Sequence, residues 1–203
     1  MPRLFFLDRV LVPVVVPEAE VRLRASLPLG VPPEEVLARL IEETPWRSEK
    51  IAMWGREYVQ PRLVAWYGDP GAVYAYSGTR YEPHEWTPLL GDLRRRVEDA
   101  AGASFNSVLL NYYRDHRDSM GMHSDEPELG PEPVITSLSL GATRTLVLRH
   151  RTVRSVKNVR IPLESGSLIV MRGPTQHRWQ HGIAKLARPC GPRVNLTFRK
   201  IIR

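Results

Sequence analysis

The C-terminal half of the chain shows the pattern of a protein built from short β-strands. Strand-like runs, rich in β-branched and aromatic residues and bounded by turn residues, lie at 105–113, 135–140, 145–149, 159–163, 167–171 and 194–201. No helical pattern separates consecutive runs, as it would in a parallel sheet with crossover helices. Many short antiparallel strands of this kind are typical of a jelly roll of the cupin type. We therefore expect a mainly β (α+β) fold with a double-stranded β-helix core.

Two helices are predicted in the N-terminal half, and we expect them to pack outside the barrel. The first opens at Pro33, and the second follows an N-cap at Thr87 and ends near Gly102. Apolar residues recur at helical spacing at Val36, Leu37, Leu40 and Ile41, and again at Leu89, Leu90, Leu93 and Val97. At this length we expect a single domain over residues 1–203, with an N-terminal extension of about 100 residues before the core.

Polar and apolar residues alternate along the last predicted strand. One face carries Arg193, Asn195, Thr197 and Arg199, and the other carries Val194, Leu196 and Phe198. Two arginines on one face repel each other unless an anion lies between them, and the planar guanidinium group pairs well with carboxylates. This strand therefore predicts a dicarboxylate site, to which Asn111 and Tyr113, themselves on one strand face, could add hydrogen bonds.

A candidate metal site begins at His123 and Asp125. In an extended segment a His-x-Asp pair puts both side chains on the same face. A histidine from another strand would complete a set of two imidazoles and one carboxylate, which leaves coordination positions open, as in non-haem iron(II) oxygenases. His177 and His181 both compete for the third place, and strand parity does not separate them because both numbers are odd.

The composition describes a globular chain with a basic surface. Lys and Arg number 29 against 22 Asp and Glu, which gives a formal net charge of +7. This excess fits a polyanionic partner and simple solubility equally well. The single cysteine, Cys190, cannot form an intramolecular disulfide and fits a reducing compartment. The interrupted apolar run at residues 4–16 is too short to span a membrane, so we expect a cytoplasmic protein. We also expect it to be a monomer.

An ordered set of motifs in this chain resembles the AlkB family of iron(II)/2-oxoglutarate dioxygenases. The set is Asn111-Tyr112-Tyr113, His123-Ser124-Asp125, His181 and Arg193-x-Asn195-x-x-x-Arg199. A His-x-Asp pair alone occurs by chance in many proteins, whereas the full set in this order, ending in the two arginines, is specific. The resemblance runs from about residue 46 to residue 199, which is most of the chain.

The resemblance implies a metal and its ligands. Iron(II) would be held by His123, Asp125 and His181. His181 is favoured over His177 because it precedes the arginine strand as the distal ligand of the family does.

The resemblance also implies 2-oxoglutarate and dioxygen as cosubstrates. The far carboxylate of 2-oxoglutarate would pair with Arg193, supported by Tyr113, while its C1 carboxylate would lie near Arg199. Asn111 and Asn195 would add hydrogen bonds.

A nucleotide-recognition lid over residues 74–76 is a further implication of the resemblance. Tyr74 and Tyr76 share a strand face, and their rings could line the pocket or stack on an extruded base. Arg62 resembles a basic position of the same lid. The acidic segment after Asp125 is one residue shorter than the family pattern, which makes Glu126 the candidate for contacting the base.

Oxidative demethylation of N-alkylated bases is the activity that the resemblance implies, with nucleic acid as partner and DNA favoured over RNA. We expect 1-methyladenine and 3-methylcytosine as substrates, with the basic segment 149–160 contacting phosphates. Two alternatives stay open, a nucleic-acid-binding module with little turnover and an oxygenase acting on RNA, protein or a small molecule. A pure binder would not need two arginines facing a cavity, which argues against the first alternative.

Overall fold

The computed structural model describes residues 10–53, 56–76, 79–125 and 133–202, and for residues 51–53, 56, 74–76 and 79–81 it describes the backbone alone. The strands in this part of the chain are β1 Val12–Val14, β2 Glu20–Arg24, β3 Lys50–Met53, β4 Arg56–Val59, β5 Leu63–Gly68, β6 Tyr74–Tyr76, β7 Thr79–Tyr81, β8 Ser107–Tyr113, β9 Met120–His123, β10 Ile135–Gly141, β11 Arg144–His150, β12 Val159–Leu163, β13 Leu168–Arg172, β14 Trp179–Ile183 and β15 Arg193–Arg199. The helices are α1 Pro33–Glu43, α2 Pro88–Ala101 and α3 Thr175–Arg178.

Two antiparallel sheets form the core of the fold. The larger sheet has seven strands in the order β1-β2-β13-β10-β15-β8-β5, and the smaller has four in the order β12-β11-β14-β9. Apolar side chains from both sheets meet in one buried cluster, which includes Ile135, Leu148, Ile169 and Trp179. This arrangement confirms the predicted jelly roll. Two further two-stranded sheets, β3-β4 and β6-β7, are separate from the two core sheets.

Helices α1 and α2 cover the other face of the seven-stranded sheet, outside the barrel as predicted. Val36 and Leu40 of α1 and Leu93 of α2 pack in one cluster with Leu138 of β10 and Leu196 of β15. The seven-stranded sheet is therefore buried on both faces. Its central strands β13, β10, β15 and β8 are nearly continuous buried runs, and every residue of β15 is buried.

The ends of α2 follow the capping signals in the sequence. The hydroxyl of Thr87 accepts a hydrogen bond from the backbone N–H of Leu90 at 3.2 Å, which satisfies one of the free donors of the first turn. Gly102 takes the left-handed conformation at φ 60°, and its N–H donates to the carbonyl of Glu98. Both ends of this helix were predicted correctly.

The strand boundaries differ from the prediction where side chains replace ladder hydrogen bonds. The predicted strand 105–113 begins only at Ser107, because the N–H of Phe105 donates to the carboxylate of Glu98. The predicted strand 194–201 ends at Arg199, because the N–H of Ile201 donates to the side chain of Asn106. The apolar pattern continues through these residues, but their backbone has other partners. No helix in the described part of the chain is long and apolar enough to cross a membrane.

Candidate active site

The pairing of β9 with β14 brings two histidines together. His123 and His181 are direct cross-strand partners, and the centroids of their rings lie 4.3 Å apart. Gly182 allows this close approach, because a Cβ atom there would lie 2.9 Å from the carbonyl oxygen of Met120 and 3.0 Å from that of Gly121. The glycine beside His181 therefore keeps the two strands close enough for the histidines to share a ligand.

Asp125 joins the two histidines from the end of β9. Its backbone N–H donates to the side-chain oxygen of Gln176 at 3.0 Å, which fixes the chain beyond the strand. Its side chain is only 2% exposed. The ligand atoms of His123, Asp125 and His181 all lie within 4.8 Å of one another. His177, the alternative third residue, lies exposed on α3, and the structure does not bring it to this cluster.

The protonation of the cluster suits metal binding. Nδ1 of His123 lies 3.0 Å from the carbonyl oxygen of Gly121, so this nitrogen carries the proton and Nε2 keeps its lone pair. Burial lowers the pKa of His123, and burial together with His123 lowers the pKa of His181 to about 3. Burial alone would raise the pKa of the Asp125 carboxyl, but Arg199 and the two histidines outweigh it and lower this pKa. The cluster is therefore two neutral imidazoles and one carboxylate at neutral pH.

The free oxygen of Asp125 tests whether a cation fits this cluster. Oδ2 of Asp125 is buried and has no hydrogen-bond partner among the described residues, and it lies 3.5 Å from Nε2 of His181. Nitrogen and oxygen ligands lie about 2.0–2.2 Å from a divalent transition-metal ion, so two atoms at this separation can share one ion. Two histidines and one carboxylate form the donor set of non-haem iron(II) sites. The three residues fit such an ion.

The polar face of β15 forms the opposite wall of the same cavity. The cavity has a volume of about 280 Å³, and its lining includes the three residues of the cluster together with Arg193, Asn195, Thr197 and Arg199. The apolar side chains of the strand point the other way into the core. The alternation predicted for this strand is therefore confirmed. Arg199 connects the two walls, because its Nη2 donates a hydrogen bond to Oδ1 of Asp125.

Arg193 carries a buried charge without a carboxylate partner among the described residues. The residue is 1% exposed, and its Nη2 donates to the hydroxyl of Ser139 at 2.9 Å. Its guanidinium lies 5.0 Å from the ring centre of Tyr113, while its Nε and Nη1 have no partner in the described part of the chain. Burial lowers the pKa of Arg193, yet a guanidinium group remains charged at neutral pH. A carboxylate in the cavity would satisfy these donors.

Asn111 and Asn195 face each other across the β8–β15 pair. They are direct register partners, and the amide of Asn195 donates to the carbonyl of Leu138 at 3.1 Å. Nε of Arg62 donates to the side-chain oxygen of Asn111 at 2.7 Å. Arg62, predicted as a lid residue, therefore lies on the cavity wall and contacts a residue predicted to bind the cosubstrate.

Part of the predicted substrate set is outside the described structure. Tyr74 and Tyr76 lie on β6, a strand described by its backbone alone, and Glu126 is outside the described residues. The proposed base contacts of these three residues stay predictions.

Three residues that support the site were not singled out from the sequence. Gln176 orients Asp125 by accepting a hydrogen bond from its backbone N–H. The hydroxyl of Ser139 accepts a hydrogen bond from Arg193. Arg144 donates to the carbonyl of Asp118 at 2.8 Å, and its guanidinium lies 5.5 Å from the ring of Tyr113. The alternation Ser-Leu-Ser-Leu along β10 could have placed Ser139 on the cavity face. Gln176 and Arg144 have no such signal, because their contacts are with backbone groups of distant segments.

The jelly roll and its site define a class of enzyme. A His-Asp-His cluster facing buried arginines inside a double-stranded β-helix is the arrangement of an iron(II) oxygenase that uses a 2-oxo acid. The family model described as the 2OG-Fe(II) oxygenase superfamily matches residues 33–199. The solved structure of OsALKBH1 has the same fold, with a TM-score of 0.66 at 18% identity over 92% of this chain and 100% of that one.

Curated relatives narrow the class further. Alpha-ketoglutarate-dependent dioxygenase alkB homolog 3 of Rattus norvegicus is 44% identical over 175 residues, which are 82% of this chain and 59% of the relative. DNA oxidative demethylase ALKBH2 is 42% identical in Mus musculus, over 75% of this chain and 67% of the relative. The human ALKBH2 is 39% identical, over 83% and 69%. The chain belongs to the AlkB family of 2OG-Fe(II) oxygenases, and it spans about three fifths of the length of the alkB homolog 3 relatives.

We predict that Gly182→Ala lowers the free energy of unfolding by about 1–3 kcal/mol, because the added methyl group must push β9 away from β14. Chemical denaturation measures the change. The matched control is Gly121→Ala on β9, where an added Cβ would meet no atom of the described residues within 4 Å. Equal effects of the two substitutions would contradict the close-approach role of Gly182.

Proposed function

We propose that this chain is an iron(II)- and 2-oxoglutarate-dependent oxygenase that removes N-linked methyl groups from nucleic-acid bases. The observation that carries the proposal is one cavity with two complementary walls. On one wall lie His123, Asp125 and His181, whose ligand atoms are within 4.8 Å of each other, and on the other lie Arg193 and Arg199. One wall suits a divalent metal, and the other suits a dicarboxylate.

Groups that would not bind the metal themselves orient the three ligand residues and keep them in the protonation states that a metal needs. His123 offers Nε2 because its Nδ1 donates to the carbonyl of Gly121. Asp125 keeps one oxygen on Arg199 and has the other free among the described residues. Both histidines stay neutral because burial lowers their pKa values, so protons do not compete with the metal at neutral pH.

The arginine wall recognises the cosubstrate by charge and shape. Arg193 binds the far carboxylate, because its unpaired donors and its buried charge need an anion. Arg199 donates to Asp125 and would hold the other carboxylate end of 2-oxoglutarate beside the metal ligands. Asn111 and Asn195 line the same cavity and would add hydrogen bonds to the cosubstrate. Iron(II), 2-oxoglutarate and dioxygen supply the oxidation, in which decarboxylation to succinate accompanies hydroxylation of the methyl carbon.

The release of formaldehyde after hydroxylation needs no catalytic side chain. A hydroxymethyl group on a ring or amino nitrogen loses formaldehyde when its carbon–nitrogen bond breaks, and the hydroxyl proton ends on the nitrogen. The side chains of the cavity have to exclude water and orient the base so that its methyl group, and no other carbon, faces the metal. Leu109, Leu146 and Ile183 give the cavity apolar surface suited to that purpose.

Nucleic acid is the proposed substrate on two grounds. The relatives include enzymes named DNA oxidative demethylase. The end of β11, the segment that follows it and the start of β12 also carry exposed cations, and these are Arg149, Arg151, Arg154, Lys157 and Arg160. Cations arranged along one end of a sheet contact phosphates, and each contact releases counterions. We propose that the enzyme prefers DNA to RNA and that it acts in the cytoplasm.

We predict that His181→Ala lowers the affinity for manganese(II), used as an oxygen-stable substitute for iron(II), by at least about tenfold. His181 lies in the buried cluster, while His177, four residues earlier, is exposed on α3. The matched control His177→Ala should leave the affinity unchanged. Isothermal titration under identical buffer conditions measures both. A loss of affinity in the His177 variant alone would reverse the ligand assignment.

We predict that Arg193→Ala weakens 2-oxoglutarate binding by at least about tenfold, since loss of a charge-assisted pair in a buried site costs about 2–5 kcal/mol. Titration of the manganese-loaded protein measures the change. The control is Arg149→Ala, because Arg149 is exposed and lies outside the cavity. An unchanged affinity in the Arg193 variant would place the far carboxylate elsewhere.

The activity itself is tested by mass spectrometry of methylated oligonucleotides. The protein is incubated with iron(II), 2-oxoglutarate and ascorbate and with matched single- and double-stranded DNA and RNA carrying 1-methyladenine or 3-methylcytosine. We expect loss of one methyl group per base together with formaldehyde and succinate, and a steep decrease of the rate with rising salt. Turnover of 2-oxoglutarate without any demethylation would instead favour an oxygenase for protein or a small molecule.

A further inference from the structure

Gln60 lies beside the candidate active site with an unused hydrogen-bond acceptor. The residue precedes β5 and is only 5% exposed. Its backbone is held at both ends, since its N–H donates to the carbonyl of Glu49 at 2.8 Å and its carbonyl accepts from the N–H of Arg62 at 2.9 Å. Its side-chain Oε1 is buried and has no partner among the described residues. A buried acceptor left unpaired costs about 1–3 kcal/mol, so its retention points to a ligand that pairs with it.

Gln60 lies at the boundary of two cavities and lines both of them. It lines the main cavity of about 280 Å³ that holds the His-Asp-His cluster. It also lines a smaller recess of about 60 Å³, together with Arg62 and Leu109, which likewise belong to both. The recess has apolar surface from Val64, Ala65 and Trp66, and polar side chains from Arg47, Glu49, Glu82 and His84.

No residue in the described part of the chain donates a hydrogen bond to Oε1 of Gln60. Arg62, a cation that lines both cavities, donates its Nε to Asn111 at 2.7 Å. The indole N–H of Trp66 donates to the carbonyl of Ala72 at 2.9 Å. A ligand N–H that enters from the main cavity is therefore the natural partner for Oε1 of Gln60.

We propose that Gln60 is a specificity-determining residue that accepts a hydrogen bond from the amino group of the substrate base. The inference rests on the proposed function and names its substrate class. In 1-methyladenine and 3-methylcytosine the methylated ring nitrogen has an amino group on the adjacent carbon, and this group donates hydrogen bonds. In 3-methylthymine and 3-methyluracil both adjacent carbons carry carbonyl oxygens, and the oxygen in the place of the amino group would meet the Gln60 oxygen as a second acceptor. Gln60 therefore favours methylated bases of the amino type over those of the carbonyl type.

The test compares four oligonucleotides of one sequence, each carrying one of these four bases. For wild type and Gln60→Leu, kcat/KM is measured on each base, and 2-oxoglutarate decarboxylation without nucleic acid is measured in parallel. We expect Gln60→Leu to reduce the preference for amino-type over carbonyl-type bases by about tenfold, the factor that corresponds to about 1.4 kcal/mol. The preference is a ratio of two kcat/KM values, so a change in decarboxylation that is common to all substrates cancels from it.

Two further variants separate recognition from a structural role. Gln60→Glu keeps acceptor oxygens and adds a negative charge, so it should retain the preference for the cationic amino-type bases. Gln180→Leu is the matched control, because Gln180 contacts Arg149 and lies outside both cavities. Thermal unfolding provides a second measurement. Removal of an unpaired acceptor should not lower the midpoint for Gln60→Leu, whereas a lower midpoint together with an unchanged preference would mean that Gln60 has a partner within the fold and would overturn the proposal.

The outcomes distinguish this inference from the function on which it rests. Demethylation with the same base preference in wild type and Gln60→Leu overturns the role of Gln60 and leaves the demethylase function standing. An equal loss on all four bases would also overturn it, since the residue would then support the cavity as a whole. Absence of demethylation by the wild-type protein on every base, with 2-oxoglutarate turnover intact, overturns both.

Discussion

A buried ion pair between Asp125 and Arg199 joins the two walls of the cavity. Asp125 follows β9 of the four-stranded sheet, and Arg199 is the last residue of β15 in the seven-stranded sheet. Their side chains are 2% and 8% exposed, so each charge depends on the other for compensation. The pair uses one carboxylate oxygen and leaves the second toward His181. The same interaction thus connects the sheets, keeps Asp125 ionised and orients the oxygen that a metal would bind.

The second constraint is an excess of buried positive charge around Tyr113. Arg193 and Arg144 are both about 1% exposed, and both guanidinium groups lie over the ring of Tyr113, at 5.0 and 5.5 Å. Arg144 is held by backbone carbonyls, including those of Asp118 and Ala184, so its position is structural. Arg193 keeps donors that no described residue satisfies. An anionic ligand in the cavity compensates this charge, and its binding should stabilise the folded chain by mass action.

Much of this site could be predicted from strand parity. The alternation over residues 193–199 correctly separated the cavity face of β15 from its core face, because that strand is regular over seven residues and pairs on both sides. Parity failed to choose between His177 and His181, since it assumes one continuous strand. The structure interrupts the segment with α3, which turns His177 to the surface before β14 begins. The family resemblance made the choice that the pattern left open.

Residues that act from irregular segments could not be predicted. Gln60 lies between β4 and β5, and Gln176 lies on a four-residue helix, so neither belongs to a periodic pattern. Their importance follows from burial and from unsatisfied or specific hydrogen bonds, which depend on the packing of segments far apart in sequence. The same reason explains why the contact between Arg62 and Asn111, across 49 residues, was not anticipated, although both residues were singled out separately.

The central claim is that one cavity binds a metal and a dicarboxylate together, and the visible charge-transfer absorption of iron(II) chelated by a 2-oxo acid tests it most directly. Under anaerobic conditions the iron-loaded protein is titrated with 2-oxoglutarate and with 2-oxopentanoate, which has the same chain length but lacks the far carboxylate. We predict that both produce the band and that 2-oxopentanoate binds at least about tenfold more weakly, because Arg193 then lacks its partner. No band with 2-oxoglutarate, or equal affinity for the two acids, would contradict the account.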